Sequence, residues 1–304
     1  MRGTQSVAQD SRNDSVLVYV NGDLVPRDEA RVSVFDSGFV LGDGIWESFR
    51  LVNGRLAFAQ AHIDRLFAGA GAISLDIGLS PDEVLAAVYR TVEANQMVDG
   101  VHIRLMITRG PKRTPNQDPR VALGKPTIVI VAEYKKPDPA GLESGLTLFT
   151  STIRCAPQDV FDMRLNSHSR LHLILALTQA LNAGADEALM LDPCGFVASC
   201  NATNFFIVRS GAVWTSMGLY SFNGITRGNV IALARRNRIE VHERDYALND
   251  VYTADEAFAT GTLAGVIPVT MVDGRAIGDG MRGGMTRRIS DLYTELLISE
   301  GNRR

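Results

Sequence analysis

Two short turns in the C-terminal half carry the residue types of an anion site. Gly224-Ile225-Thr226-Arg227 stands directly before a helical pattern, and Thr260-Gly261-Thr262-Leu263-Ala264 follows a strand-like run. The first N–H groups of a helix have no partner inside it and lie at the positive end of its dipole, so they receive oxyanions. Threonine hydroxyls add donors without adding charge. Either turn alone reads equally as a cap; both together, with a guanidinium, would make a phosphate cup. Titratable candidates lie elsewhere. His168, two residues after Asn166, could act as a base near neutral pH, or could cap a helix or bond to backbone. His102 stands two residues before Arg104 on a predicted strand. Arg104, Arg109, Lys112 and Arg113 surround a polar, Pro-rich loop over 110–126, where they could receive a carboxylate or form a solvated basic loop.

The bulk of the chain limits what these groups can serve. Its 304 residues, 45% hydrophobic and 21% charged, allow two packed domains. A net charge of −3 with scattered basic residues gives no field for nucleic acid or an anionic membrane, so a small organic molecule is the expected partner. No run approaches the roughly 20 apolar residues of a membrane span. The cysteines Cys155, Cys194 and Cys200 have no metal spacing, which predicts no metal site and a reducing, cytoplasmic location. Cys194 and Cys200 read as buried, inert thiols.

Pattern supplies the elements that must position the candidates. Residues 1–16 read as a disordered tail. Strands are expected over 17–20, 31–35, 46–52, 101–108 and 127–133, with helices over 61–73 and from Pro81, where Ser80 is the N-cap. Pro137, Pro139 and Gly141 mark a linker over 137–145 between a small α/β domain, 17–136, and a larger domain, 146–304. In the second domain, strands over 146–153, 187–191, 195–197, 204–208, 212–215, 256–260 and 266–272 alternate with helices over 171–182, 226–236 and from Met285. The fold class is α+β in two domains.

With these motifs in order, the chain resembles the class IV (fold-type IV) pyridoxal-phosphate aminotransferases, which include branched-chain and D-amino acid aminotransferases and aminodeoxychorismate lyase. The resemblance rests on Asp36-Ser37-Gly38-Phe39, Gly42-Asp43-Gly44-Ile45-Trp46-Glu47, His62-Ile63-Asp64-Arg65-Leu66, Thr108-Arg109-Gly110 and Asn204-Phe205-Phe206, together with the two turns, and it spans roughly residues 17–295. It implies a small α/β domain, a larger pseudo-barrel domain, a cofactor cleft between them and a homodimer. Arg65, Ser199, Asn204, Ile225, Thr226, Gly261 and Thr262 would contact pyridoxal or pyridoxamine 5'-phosphate. Leu41, Trp46, Arg104, Arg109, Leu263 and Ala264 would shape the pocket for a small amino or keto acid.

The same resemblance places the family's catalytic lysine at Asn166 and its pyridine-nitrogen glutamate at Ser199. The only lysines are Lys112, Lys125, Lys135 and Lys136, so none lies in the second domain. An amide nitrogen is delocalised and has no titratable amine with which to condense with an aldehyde or shuttle a proton. A serine does not stabilise a pyridinium. An engineered lysine substitution would explain Asn166 but not Ser199. Three readings therefore stand. The first is a branched-chain-aminotransferase-like enzyme with non-covalently bound cofactor, in which ordinary lysine-dependent transamination is doubtful. The second is a cofactor-free lyase, isomerase or hydrolase using His168 or His102. The third is a non-catalytic protein that binds a phosphorylated metabolite.

Overall fold

The computed structural model describes residues 3–4, 9–137 and 139–302. They divide into two compact units. The N-terminal unit is Gln9–Lys135 with Leu165–Arg170 and the chain from Ile298 onward. The C-terminal unit holds Lys136–Arg164, Leu171–Leu297 and the first residues of the chain. The segment carrying Asn166 and His168 therefore belongs to the N-terminal unit, although its sequence neighbours on both sides do not.

In the N-terminal unit the elements are β1 (Leu17–Val20), β2 (Asp23–Pro26), α1 (Ser37–Leu41), β3 (Gly44–Val52), β4 (Arg55–Leu56), α2 (Ala59–Ala72), α3 (Pro81–Ala94), β5 (Val101–Thr108) and β6 (Thr127–Tyr134). The six strands form one sheet in the order β2-β1-β6-β5-β3-β4. Alternation along β3 sends Ile45, Glu47, Phe49 and Leu51 to the core face, where they meet Ile103, Leu105 and Ile107 of β5 and residues of α2 and α3. Trp46, Ser48 and Arg50 point to the other face, opposite Met106, Arg104 and His102. Helix α3 begins at a complete capping box, with Ser80 accepting from Glu83 N–H and the Glu83 carboxylate accepting from Ser80 N–H. Arg109 lies at the exit of β5, and Gly110 follows with φ +84. A Cβ at Gly110 would lie 1.8 Å from the Lys125 carbonyl oxygen, so only glycine lets the loop over 110–126 close here.

Three local expectations are corrected. Residues 31–35 alternate like a strand but form none; Val32, Val34 and Phe35 are exposed, because no neighbouring strand covers them. Within the expected disordered tail, Ser11–Ser15 form a 3-10 turn capped by Asp10, and the Asn13 amide donates to Tyr134 O. Residues 1–2 and 5–8 of that tail lie outside the described residues. The expected linker contains a short helix, α4 (Pro139–Ser144), which proline at its first position permits.

The C-terminal unit continues with β7 (Leu146–Thr150), α5 (Leu171–Asn182), β8 (Glu187–Leu191), β9 (Val197–Cys200), β10 (Asn204–Arg209), β11 (Ala212–Thr215), α6 (Ile225–Arg236), β12 (Val241–Glu243), α7 (Leu248–Tyr252), β13 (Glu256–Gly261), β14 (Gly265–Val272), β15 (Arg275–Ala276) and α8 (Gly284–Asn302). Its strands run β12-β11-β10-β13-β14-β7-β8-β9, with β15 on β14. β8 is buried at every position, and β10 at all but its last, as expected for strands covered on both faces. No helix among the described residues is long and apolar enough to cross a membrane.

Candidate functional site

Two clusters collect the expected residues, one in each unit. In the C-terminal unit, helix α6 starts at Gly224, which is extended (φ −61, ψ 140) and offers no side-chain cap. Asn204 substitutes for that cap from a distance. Its Oδ1 accepts from Gly224 N–H at 3.1 Å, and its Nδ2 donates to Phe222 O at 2.7 Å. One amide thus clasps both ends of the turn and fixes the helix start, leaving the first N–H groups of Ile225 and Thr226 without intrahelical partners. A Cβ on Gly224 would stand 2.5 Å from Asn204 Oδ1, so a larger residue there displaces the clasp. Thr260 lies directly across from Asn204 in the β10–β13 ladder, so both side chains share a face. Thr260 is buried, and its Oγ1 has no hydrogen-bond partner among the described residues. Gly261 pairs with Gly265 across the β13–β14 hairpin, whose tip is Thr262, Leu263 and Ala264. Thr226 is buried, with its hydroxyl 3.4 Å from Tyr293 OH.

Ser199 is engaged by the same clasp. Its hydroxyl donates to Thr203 O at 2.7 Å and accepts from Asn204 Nδ2 at 3.4 Å. Donation to a ring nitrogen would require the bond to Thr203 to be given up. Among the other C-terminal candidates, Cys200 is buried, and burial pushes its thiol well up. Cys194, by contrast, is exposed in the β8–β9 turn, which corrects its expected burial.

The N-terminal unit holds the second cluster. Residues 165–170 lie along the start of β3, where β4 does not reach. Trp46 N–H donates to Asn166 O, His168 N–H donates to Gly44 O, and Ile45 bridges to Ser167. Asn166 is buried and doubly engaged through its side chain. Nδ2 donates to Trp46 O at 2.6 Å, and Oδ1 accepts from Arg170 Nη2 at 2.5 Å. His168 Nε2 is 3.0 Å from Ile45 O, and since a carbonyl only accepts, this nitrogen carries the proton. Burial, opposed by that bond and reinforced by the charges of Arg104 and Arg170, lowers its pKa. Nδ1 is then its proton-accepting atom.

His102 is pushed down to about 3, first by burial and then by Lys135, Arg104, Arg50 and His62. It is therefore neutral, and a weak base, at neutral pH. The unfolded chain gains this proton near pH 6.5 and the fold does not, so His102 costs stability increasingly as pH falls from 6.5 towards 3. His102→Gln is expected to unfold at a higher temperature than the parent at acid pH and to match it above neutrality. Thermal melts of both across pH would show parallel curves if burial did not shift His102.

Arg65 meets a carboxylate inside its own unit. Its Nε and Nη2 donate to Glu47 at 2.7 and 2.8 Å, and His62 Nδ1 donates to the same carboxylate at 2.7 Å. Glu47 is wholly buried. Burial alone would raise its pKa, but the hydrogen bonds and charges of Arg65 and His62 hold it below the usual value. Arg109, an expected substrate residue, is a staple: it clamps Asp43 through Nε and Nη2 and reaches Ser74 O and Ile73 O. Lys112 is buried, with Nζ donating to Asn116 O and Asp118 O of its own loop. Arg104 behaves differently. Its guanidinium lies 3.6 Å over the Trp46 ring, and it has no hydrogen bond or ion pair among the described residues. Leu41, at the end of α1, is exposed. Sequence reading assigned no role to Glu47, legible as the acidic residue that alternation sends to the core face, or to Arg170, four residues after Asn166.

Comparison with known proteins decides the family. Residues 44–272 match the amino-transferase class IV family. The chain belongs to it. The chain is 37% identical over 289 residues to branched-chain-amino-acid aminotransferase-like protein 1 of Arabidopsis thaliana, covering 95% of this chain and 52% of that one. It thus spans about half the length of that relative. It is 33% identical to the branched-chain-amino-acid aminotransferase of Pseudomonas aeruginosa, with 92% of each chain covered. Among solved structures, the T.th. branched-chain amino acid aminotransferase with pyridoxamine 5'-phosphate superposes with a TM-score of 0.88 at 28% identity, covering 94% of this chain and 95% of that one. The Escherichia coli enzyme gives 0.87 at 26%, covering 94% and 96%. The fold class expected from sequence, α+β of fold-type IV, is the one found. In this class IV chain, the donors around Gly224 fit the phosphate of such a cofactor. They are uncharged N–H and O–H groups at a helix start, beside a buried threonine hydroxyl with no partner among the described residues.

Proposed function

We propose that this class IV family member holds pyridoxal or pyridoxamine 5'-phosphate without a covalent bond and acts on a small amino or keto acid, as its branched-chain relatives suggest. The observation that carries the reading is the uncapped start of α6 beside the unpartnered Thr260 hydroxyl. Ile225 N–H, Thr226 N–H and Oγ1, and the tip amides of Gly261 and Thr262 bind the phosphate, and the α6 dipole favours its charge. When bound, the cofactor supplies an aldehyde or amine on an electron-withdrawing ring. The chain's own contribution is orientation. Ser199 and Asn204 hold the turn. Asn166 has no titratable amine, whereas His168 keeps Nδ1 as a proton-accepting atom.

The test compares thermal stabilisation by pyridoxal 5'-phosphate with that by pyridoxal. At ~100 times Kd, a ligand bound only by the fold adds about 2.7 kcal/mol. The phosphorylated form should stabilise more than the alcohol at the same concentration; equal effects, or none from the phosphorylated form, would refute the reading. A non-catalytic phosphometabolite sensor is the second reading, favoured by the full engagement of the Asn166 amide. Turnover of any amino acid by the loaded protein removes it. The expected homodimer is supported by the exposed Leu171, Ile174 and Leu175 along one face of α5. Sedimentation equilibrium showing a monomer at micromolar concentration would refute it.

A further inference from the structure

One carboxylate of the C-terminal unit has no part in the chemistry described above. Glu187, the first residue of β8, is buried, and among the described residues no cation pairs with it. A buried carboxylate without a cation has to be met by hydrogen-bond donors. Two come from a residue near the start of the chain, in the same unit. Thr4 N–H donates to Oε1 at 2.8 Å, and the Thr4 hydroxyl donates to the same oxygen. The third is the Thr203 hydroxyl, which donates to Oε2 at 3.1 Å. Burial raises the Glu187 pKa, the bonds from Thr4 and Thr203 oppose that rise, and the charge of Asp186 adds to it. Thr4 is itself buried, and a Cβ on Gly3 would stand 3.5 Å from Asp186 O, so both residues pack on the start of β8.

Thr203 leads from this carboxylate to the clasp at Gly224. It directly precedes Asn204, whose amide fixes the start of α6. Its carbonyl oxygen accepts from the Ser199 hydroxyl at 2.7 Å and from Cys200 N–H at 2.9 Å. Asn201 fastens the same turn to β8: its Oδ1 accepts from Ala188 N–H at 2.8 Å, and its N–H donates to Ala188 O at 3.1 Å. The turn between β9 and β10 is therefore fixed by β8 backbone at Asn201 and by Glu187 at Thr203. Without Thr4, the carboxylate keeps one of these three donors, and it must turn towards water or take up a proton. Either change moves Thr203, one residue from the clasp.

We propose that Thr4 and Glu187 are positioning residues for the α6 start: docking of Thr4 on the Glu187 carboxylate holds Thr203, and through it the Asn204 clasp. The proposal rests on the phosphate reading of that turn. Linkage then requires that Thr4 docking and phosphate binding strengthen each other by the same factor.

Hydrogen exchange of the Thr4 amide, read by mass spectrometry, tests docking without any cofactor. The amide should be protected in the parent, and slowed further by pyridoxal 5'-phosphate but not by pyridoxal. Thr4→Pro removes both donors at a residue outside every strand and helix. It should weaken binding of pyridoxal 5'-phosphate at least about fivefold and leave pyridoxal unchanged, whereas Thr4→Ser, which keeps both donors, should bind as the parent does. Thr203→Val should weaken binding similarly. The double variant Thr4→Pro/Thr203→Val should bind no more weakly than Thr203→Val alone, because Thr4 acts through Thr203. A freely exchanging Thr4 amide in the parent, parent-like binding by Thr4→Pro, or additive losses would overturn the proposal and leave the phosphate reading standing. A parent that binds pyridoxal 5'-phosphate no better than pyridoxal would remove both. If thermal melts show Thr203→Val unfolded, Thr4→Pro and Thr4→Ser decide alone.

Discussion

Glu47→Ala is expected to lose about 3–5 kcal/mol of stability, enough to unfold a marginal domain at physiological temperature. The reason is not the loss of an attractive pair, which burial nearly cancels. Removing the carboxylate takes away the acceptor of Arg65 Nε and Nη2 and of the His62 N–H, beside Phe49 on the core face. Glu47→Gln keeps the shape and one acceptor but not the charge. The wild-type carboxylate has its pKa lowered in the fold, so its stabilisation is present above the unfolded value of 4.5 and is lost as pH falls through the folded value. Denaturant titrations should therefore show the gap between wild type and Glu47→Gln shrinking in acid. A gap independent of pH would mean that Glu47 is not ionised in the fold.

Gly224→Ala is expected to weaken binding of pyridoxal 5'-phosphate by at least about tenfold, or about 1.4 kcal/mol, while leaving the affinity for unphosphorylated pyridoxal unchanged. The added methyl would stand 2.5 Å from Asn204 Oδ1. Relief must come from swinging either the helix start or the Asn204 amide, and either movement breaks the clasp that aims the first-turn N–H groups. The fold tolerates the change better than the site does, since an alanine cap costs a helix about 1 kcal/mol. Fluorescence titration with both ligands separates the two effects. Equal losses for both, or no loss, would show that the turn does not grip phosphate.

The α6 start and the β13–β14 hairpin were legible because they depend on local chemistry. A glycine before a helix and a threonine at a hairpin tip declare their donors without any long-range contact. The second-domain strands were legible for a similar reason, being apolar on both faces. What the sequence concealed depends on which charges find each other. Arg109 and Lys112 read as part of a basic cluster, but one clamps Asp43 and two helix-end carbonyls, and the other is turned into its own loop. Period-2 alternation predicts that Glu47 faces the core, yet only the fold shows that Arg65 answers it. In the sequence Asn166 stands out for what it lacks. Its actual work, accepting from Arg170 while donating to Trp46, needed the segment 165–170 to be seen lying along β3.

The central claim is that a class IV scaffold keeps its phosphate grip without a lysine to bond the cofactor. The most direct measurement reconstitutes the protein with pyridoxal 5'-phosphate, reduces it with borohydride and compares intact mass with cofactor content before reduction. The account predicts about one cofactor per chain, removable by dialysis, and a protein mass unchanged by reduction. A stoichiometric adduct at Lys112, Lys125, Lys135 or Lys136, or no cofactor bound at all, would contradict it.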